Sequence, residues 1–236
     1  MESWQEEQLQ ALLAIQCEHE LFEALATVAH DLGFEYCAYG LRMPLPVSRP
    51  KVVMFNNYPT PWQARYREQN YLAVDPTVCH GMRSLIPIIW SDEVFAAAHA
   101  LWEEARSFGL QVGWAQSSRD ANGVGGMLTL ARSGEPLTNV ELRDKGLKMT
   151  WLTQVAHLGM SQCLTAKLLP EGEIQLTDRE VAVLHWTADG KTSGEIADIL
   201  RISERTVNFH INNAVSKLGT ANKLAATVKA AMLGML

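Results

Sequence analysis

The densest gathering of chemically capable side chains is the run Asn57-Tyr58-Pro59-x-x-Trp62-x-x-x-Tyr66, followed by Asp75-Pro76, Trp90 and the segment Gly126-Met127-Leu128-Thr129-Leu130. An indole N–H can only donate a hydrogen bond and an ionised carboxylate can only accept one, whereas tyrosine and threonine hydroxyls do both. Together such groups can hold a small polar molecule from several sides. Asp75 carries the sharpest demand, because burying an unpaired carboxylate costs several kcal/mol (order of magnitude) unless donors surround it. A bound amide N–H would relieve part of that cost and couple occupancy to folding. Taken singly, Asp75-Pro76 also reads as a surface turn and each tryptophan as a core aromatic. Catalysis has less support. There is no G-x-S-x-G and no H-E-x-x-H, and the seven histidines are scattered.

A second set lies near the C-terminus. Thr177-Asp178-Arg179-Glu180 and Thr192-Ser193-Gly194-Glu195 have the T-x-x-E form of a capping box, in which hydroxyl and glutamate satisfy the amide donors left bare at a helix start. Ser203 predicts a third cap, Thr220 or Asn222 a fourth, and Gly190 and Gly219 are placed as helix stops. The spacing predicts helices over about 177–188, 192–200, 203–218 and 222–234, the second and third joined by a short turn at Ile202. That is helix-turn-helix geometry. In the third helix Val207, Ile211, Ala214 and Leu218 fall on a core side, while Arg205, Asn208 and Asn212 share another. Asparagine can pair bidentately with adenine in the major groove, and arginine with guanine or phosphate. Lys191, Thr206, His210 and Lys217 are candidate phosphate contacts. Gly190-Lys191-Thr192 is not a phosphate loop, since position 185, where the Walker pattern needs glycine, is His185.

Elements that could position these groups follow from periodicity. Apolar residues at helical spacing run through 5–32, with Leu9, Leu12, Leu13, Phe22, Leu25, Val28 and Leu32 before Gly33. Residues 34–42 and 51–55 read as strands, 61–70 as a helix, and 91–107 as a helix bearing Val94, Phe95, Ala98, Leu101, Trp102 and Ala105. Strands at 112–118 and 126–132 flank the turn Asp120-Ala121-Asn122-Gly123. A long amphipathic helix over 138–166 carries Val140, Leu147, Trp151, Leu152, Val155 and Leu158. This order predicts an antiparallel sheet with helices on both faces, followed by an all-helical unit. Leu169-Pro170-Glu171-Gly172-Glu173 breaks the helical pattern, so the expected domains are 1–168, a linker at 169–175, and 176–236.

Composition fits that division. In a chain of 236 residues, hydrophobic types make up 47% and charged types 19%, as in globular proteins. Net charge is −6 overall, yet residues 1–173 hold 13 Lys/Arg against 20 Asp/Glu, leaving 174–236 with 7 against 6, net +1. The acidic excess is N-terminal, which permits a nucleic-acid-binding tail. No apolar run approaches the ~20 residues of a membrane span, and the acidic first residues do not form a signal peptide. The cysteines, at 17, 37, 79 and 163, lack metal or disulfide spacing and suit a reduced cytoplasm.

The run from Leu176 to Leu236, with Leu-Thr-Asp-Arg-Glu, Gly-Lys-Thr-Ser-Gly-Glu-Ile-Ala and Ile-Ser-Glu-Arg-Thr-Val-Asn-Phe-His, resembles the DNA-binding domain of LuxR/GerE-type regulators. Response regulators share such a tail, but the N-terminal segment order does not supply a receiver domain. Instead the Tyr58, Trp62, Tyr66, Asp75, Trp90 constellation, Phe34-Glu35-Tyr36-Cys37 and Val112-Gly113-Trp114-Ala115-Gln116-Ser117-Ser118 resemble acyl-homoserine-lactone receptors of that family.

The resemblance implies an α+β protein: an N-terminal α/β/α sandwich with an antiparallel sheet, and a C-terminal four-helix helix-turn-helix domain. It further implies that the Trp62 indole donates to a lactone carbonyl and that Asp75 accepts the ligand amide N–H. Tyr58 and Thr129 would donate to the acyl carbonyl, with Thr129 also able to bond Asp75. Trp90, Tyr66 and Trp102 would wall the head group, and Ala38, Gly40, Val78, Leu110 and Ala115 would line a channel for the acyl tail. The implied protein is a cytoplasmic quorum-sensing regulator and not an enzyme, with a lactone signal, no cofactor and no metal. Its implied partners are a second copy, docked through the helix at 222–234, palindromic promoter DNA, and RNA polymerase if it activates. The alternative is a regulator of the same build that answers another small molecule or acts without a cognate signal synthase.

Overall fold

The computed structural model describes residues 10–46, 49–121, 123–168 and 175–236. Leu9, Asn122 and nearly all of the expected linker lie outside the described residues. The chain divides into two compact units, the first made of Met1–Met43, Pro50–Asp120 and Val124–Leu168, the second of Pro44–Arg49, Ala121–Gly123 and Leu169–Leu236.

In the first unit, helix α1 (Glu18–Asp31) buries Leu21, Phe22, Leu25, Val28 and Ala29, an i, i+3/i+4 stripe. Strands β1 (Tyr36–Arg42) and β2 (Val52–Asn56) lead into helix α2 (Thr60–Glu68) and short helix α3 (Pro76–Gly81). Strand β3 (Ile88–Ile89), helix α4 (His99–Ser107), strands β4 (Val112–Arg119) and β5 (Gly125–Arg132), and the long helix α5 (Asn139–Leu168) follow. The sheet has five strands in the order β2-β1-β5-β4-β3, all pairs antiparallel.

Side chains alternate across a sheet, and here the two faces differ in kind. Cys37, Tyr39 and Leu41 of β1, with Leu128 and Leu130 of β5, are buried toward the layer formed by α1 and α5. On the other face β1 presents Tyr36, Ala38 and Gly40, while β5 and β4 add Thr129, Ala131, Gly113 and Ala115. That second face is small-residued at its centre and is covered by the segment containing α2, α3 and α4.

Two expectations need correcting. The helix predicted over 91–107 is α-helical only from His99, after a 3-10 turn at Ala96–Ala98. Phe95 and Trp102 stack with ring centroids 4.6 Å apart and planes 7° from parallel. Seven residues of straight α-helix advance ~10 Å, so the backbone must break to bring these rings face to face. In α5, Val140 and Leu147 are 70% and 72% exposed and Leu158 is also exposed, while Met149, Leu152, Ala156 and Met160 form the buried stripe. Apolar residues are spread around this helix, and these three lie off the stripe that meets the sheet.

The second unit comprises α6 (Asp178–Ala188), α7 (Ser193–Leu200), α8 (Glu204–Lys217) and α9 (Lys223–Met232). Both capping boxes form, Thr177 with Glu180 and Thr192 with Glu195, and Ser203 and Asn222 cap α8 and α9. Gly190 and Gly219 take φ of +82° and +59° just past α6 and α8, the left-handed region that ends helices at little cost to glycine. Val183, Ile196, Val207 and Ile211 form one core cluster; Leu184, Ala214, Leu218, Ala226 and Ala230 form another.

Candidate ligand site and nucleic-acid interface

Cross-strand register fixes the floor of the first site. Asn56, Ala38, Thr129, Ala115 and Ile88 are paired in one row across the sheet, and Gly40 lies in the next row opposite Met54 and Met127. Ala131, on the same face, packs within an aromatic cluster that includes Trp62, Tyr71, Phe95, Trp102 and Leu110, with Tyr58, Tyr66, Trp90 and Phe108 against it. Alanine, glycine and threonine at the floor let the tryptophan and tyrosine roof come close to the sheet, as Trp90 does at Gly113.

Local chemistry shapes the roof. The Asn57 carboxamide accepts from the Cys37 N–H at 2.7 Å, and Gln63 donates to the Tyr58 carbonyl at 2.7 Å, fixing the β2-to-α2 turn. Arg65 of α2 grips Glu104 of α4 through two bonds of 2.7 Å, tying the covering helices together. This partner, opposed by some desolvation and aided by Tyr71, holds the Glu104 carboxyl below its ordinary range. Trp62, 3% exposed, meets Tyr66, Tyr71 and Phe108 at centroid distances of 5.7, 6.0 and 5.6 Å. Trp90 lies flat on Gly113, where an added Cβ would sit 2.2 Å from its ring, and meets Trp102 edge-on at 6.1 Å. The Trp90 indole N–H is buried without a hydrogen-bond partner among the described residues.

Asp75 sits where the two readings of its sequence meet. It caps α3, with Pro76 in the first turn, and is half-buried rather than fully enclosed. Thr77 donates to Oδ1 through its backbone N–H at 2.8 Å and its hydroxyl at 2.7 Å, and the Tyr66 hydroxyl donates to Oδ2 at 2.9 Å. Thr129 is not among these donors, so the expected Thr129–Asp75 bond is replaced by one from Tyr66. The Tyr66 and Tyr58 hydroxyls are both pushed well above the ordinary tyrosine range, by burial first and then by nearby Asp75 for Tyr66, and by Cys37 and Asp75 for Tyr58. Both stay protonated and able to donate.

Other expected residues take more ordinary places. Trp102 is buried, but its N–H is spent on Asp92 at 2.6 Å, which leaves it a wall without a donor. Leu110 belongs to the aromatic cluster, and Val78 is half-buried on α3. Thr77, Tyr71, Phe95 and Phe108 join the site without having been singled out. Only Thr77 carried a legible signal: Asp-Pro-Thr is an N-cap followed by Pro at N1.

On the second unit, α8 exposes Arg205, Asn208, Phe209 and Asn212 along one side and buries Val207, Ile211 and Ala214 on the other. The Ser193 hydroxyl of α7 donates to Asn208 Oδ1 at 2.9 Å, which orients the carboxamide and leaves its N–H₂ as the outward function. Thr206 shares the α8 cap, its hydroxyl 2.8 Å from that of Ser203. Lys191 and His210 are half-buried at the edge of this surface. Lys217 must be reassigned: its ammonium donates to Glu180 at 2.8 Å, and Glu180 is 3% exposed. Burial would raise the Glu180 carboxyl, but the bonds from Lys217 and Thr177 outweigh it and hold the group below its ordinary range. Lys217 thus neutralises a buried anion rather than waiting for a phosphate.

Comparison with known proteins agrees with this two-part build. Residues 18–160 match the autoinducer binding domain, and residues 174–230 match the bacterial regulatory proteins of the luxR family. The chain is 50% identical over 238 residues to the transcriptional activator protein AnoR of Acinetobacter nosocomialis, covering 100% of both chains. The crystal structure of Escherichia coli SdiA superposes with a TM-score of 0.84 at 34% identity, covering 99% of this chain and 98% of that one. SdiA in complex with octanoyl-rac-glycerol gives 0.82 at 34% identity, covering 98% and 94%. The chain belongs to the LuxR family of quorum-sensing transcriptional regulators, joining an autoinducer-binding domain to a helix-turn-helix DNA-binding domain.

Proposed function

We propose that the autoinducer of this regulator is an N-acyl-homoserine lactone, held between the small-residue face of the sheet and the aromatic roof. The observation that carries the reading is Tyr66, which packs against Trp62 and hydrogen-bonds Asp75, so a dedicated donor and a dedicated acceptor flank one tyrosine. In this reading the Trp62 N–H meets the lactone carbonyl, a free lone pair of Asp75 takes the amide N–H, and Tyr58 and Thr129 serve the acyl carbonyl. The tail runs over Ala38, Gly40 and Ala115 toward Val78 and Leu110. The unmet Trp90 donor supports an occupant with an acceptor on that side, since buried donors are rarely left unpaired.

The domain limits are 1–168 and 176–236. The protein acts as a cytoplasmic homodimer on palindromic promoter DNA, meeting RNA polymerase where it activates. Leu224 and Val228, one turn apart and exposed on α9, support pairing through that helix. Among the described residues no helix is long and apolar enough to cross a membrane.

Thermal melting of the full-length chain against a panel of acyl-homoserine lactones and octanoylglycerol tests the ligand. A lactone at about 100 times its Kd should stabilise the protein by ~2.7 kcal/mol. Stabilisation by octanoylglycerol alone would favour the alternative, a regulator of this build that answers a different acyl molecule.

A further inference from the structure

Phe209 is the anomaly of the DNA-reading surface. It is 59% exposed on α8, next to Asn208 and flanked along the helix by Arg205 and Asn212 at i−4 and i+3. Neither core cluster of its unit includes it, and among the described residues its one aromatic neighbour is His210, edge-on at 5.5 Å. A large ring left in water within a polar stripe gains nothing in the free protein. In the major groove the base edges offer hydrogen-bonding groups and one apolar feature, the C5-methyl of thymine.

We propose that Phe209 is a specificity-determining residue that selects a thymine in each operator half-site by packing its ring on that methyl group. The inference rests on α8 being the groove-reading helix. Asn208 complements it: with Oδ1 held by Ser193, its outward N–H₂ suits acceptors such as thymine O4 or guanine O6 and N7 better than the donor-acceptor edge of adenine. One residue then reads the methyl while its neighbour reads an acceptor.

The test uses the full-length protein, produced with a mixed panel of short-, medium- and long-chain acyl-homoserine lactones. Binding sites are first selected from a randomised duplex pool. The best duplex is then resynthesised with each thymine replaced in turn by deoxyuridine, which deletes only the methyl. At one thymine in each half-site, deoxyuridine should weaken wild-type binding about fourfold, the worth of one buried methylene. F209A should bind the thymine duplex more weakly and lose the penalty, and F209L should keep part of it. The proposal is overturned if no thymine shows a penalty, or if the penalty persists undiminished in F209A. Failure of the wild type to select any sequence would instead sink the groove-reading role of α8. Because Val207, Ile211 and Ala214 carry the packing, an unchanged melting temperature of F209A separates lost contact from lost fold.

Discussion

Tyr66 donates a hydrogen bond to Asp75 across 2.9 Å while its ring meets the Trp62 indole at 5.7 Å. Tyr66 is thus more than a wall: it occupies one lone pair of the carboxylate, as Thr77 occupies the other oxygen, and so fixes the direction in which the remaining acceptor capacity points.

Tyr66→Phe keeps the ring and removes only that donor. That bond is already made without ligand and, as one to a charged group, is worth about 1.5–3 kcal/mol, so the variant should melt lower. With Asp75 no longer aimed, lactone affinity should also fall, by up to about tenfold. Titration calorimetry with the stabilising lactone checks this. Unchanged affinity would mean that Tyr66 does not aim Asp75.

Gly113→Ala places a methyl 2.2 Å from the Trp90 ring. Overpacking of this kind costs about 1–3 kcal/mol, and here it must push the indole off the sheet. The expected outcome is a weakened lactone-induced rise in melting temperature with the helix-turn-helix unit unaffected. Quenching of tryptophan fluorescence reports the displaced ring.

Acid should attack the first unit through Glu141. Arg132, with two bonds of 2.8 Å, and Lys145, with one of 2.8 Å, hold its carboxyl down against desolvation, from 4.5 to about 2. A lowered folded pKa means stability that is full above the unfolded value and lost as pH falls through the folded one. Melting temperature of wild type should therefore drop between about pH 4.5 and 2, and Glu141→Gln should flatten that limb while lowering stability at neutral pH.

Lys217 and Arg205 should separate in their salt dependence. Arg205→Ala should reduce the slope of log affinity against log salt by about 1. Lys217→Ala should leave the slope unchanged and lower the stability of the helix-turn-helix unit, because it strands the buried Glu180 carboxylate. Gel-shift titrations across salt, with melting curves, distinguish the two.

These residues also mark what could be read in advance. The capping boxes at Thr177 and Thr192 were legible because a cap is made within four residues, and four of the five strands because alternation is local, whereas the two-residue β3 is too short to show it. The pairing of Lys217 with Glu180 was not, since it joins positions 37 apart in the chain. Nor was the break before His99: apolar spacing over 91–107 suits a helix, and only the stacking of Phe95 on Trp102 forbids a straight one. Asp75 was legible as a pocket residue or as part of a surface turn, and the structure uses it as a helix cap whose second oxygen accepts from Tyr66. Apolar residues over 138–166 pointed to a helix without revealing that Val140, Leu147 and Leu158 lie off the buried stripe.

In the proposed reading Trp62 and Asp75 jointly grip the polar head of an acyl-homoserine lactone. Its most direct test is mass spectrometry of small molecules released from purified full-length protein after growth with the lactone panel. Wild type should release one lactone in near-equal amount to protein, whereas Trp62→Phe and Asp75→Ala should release about tenfold less or worse, as one lost hydrogen bond of this kind predicts. Wild-type protein that releases no lactone, or both variants releasing as much as wild type, would contradict it.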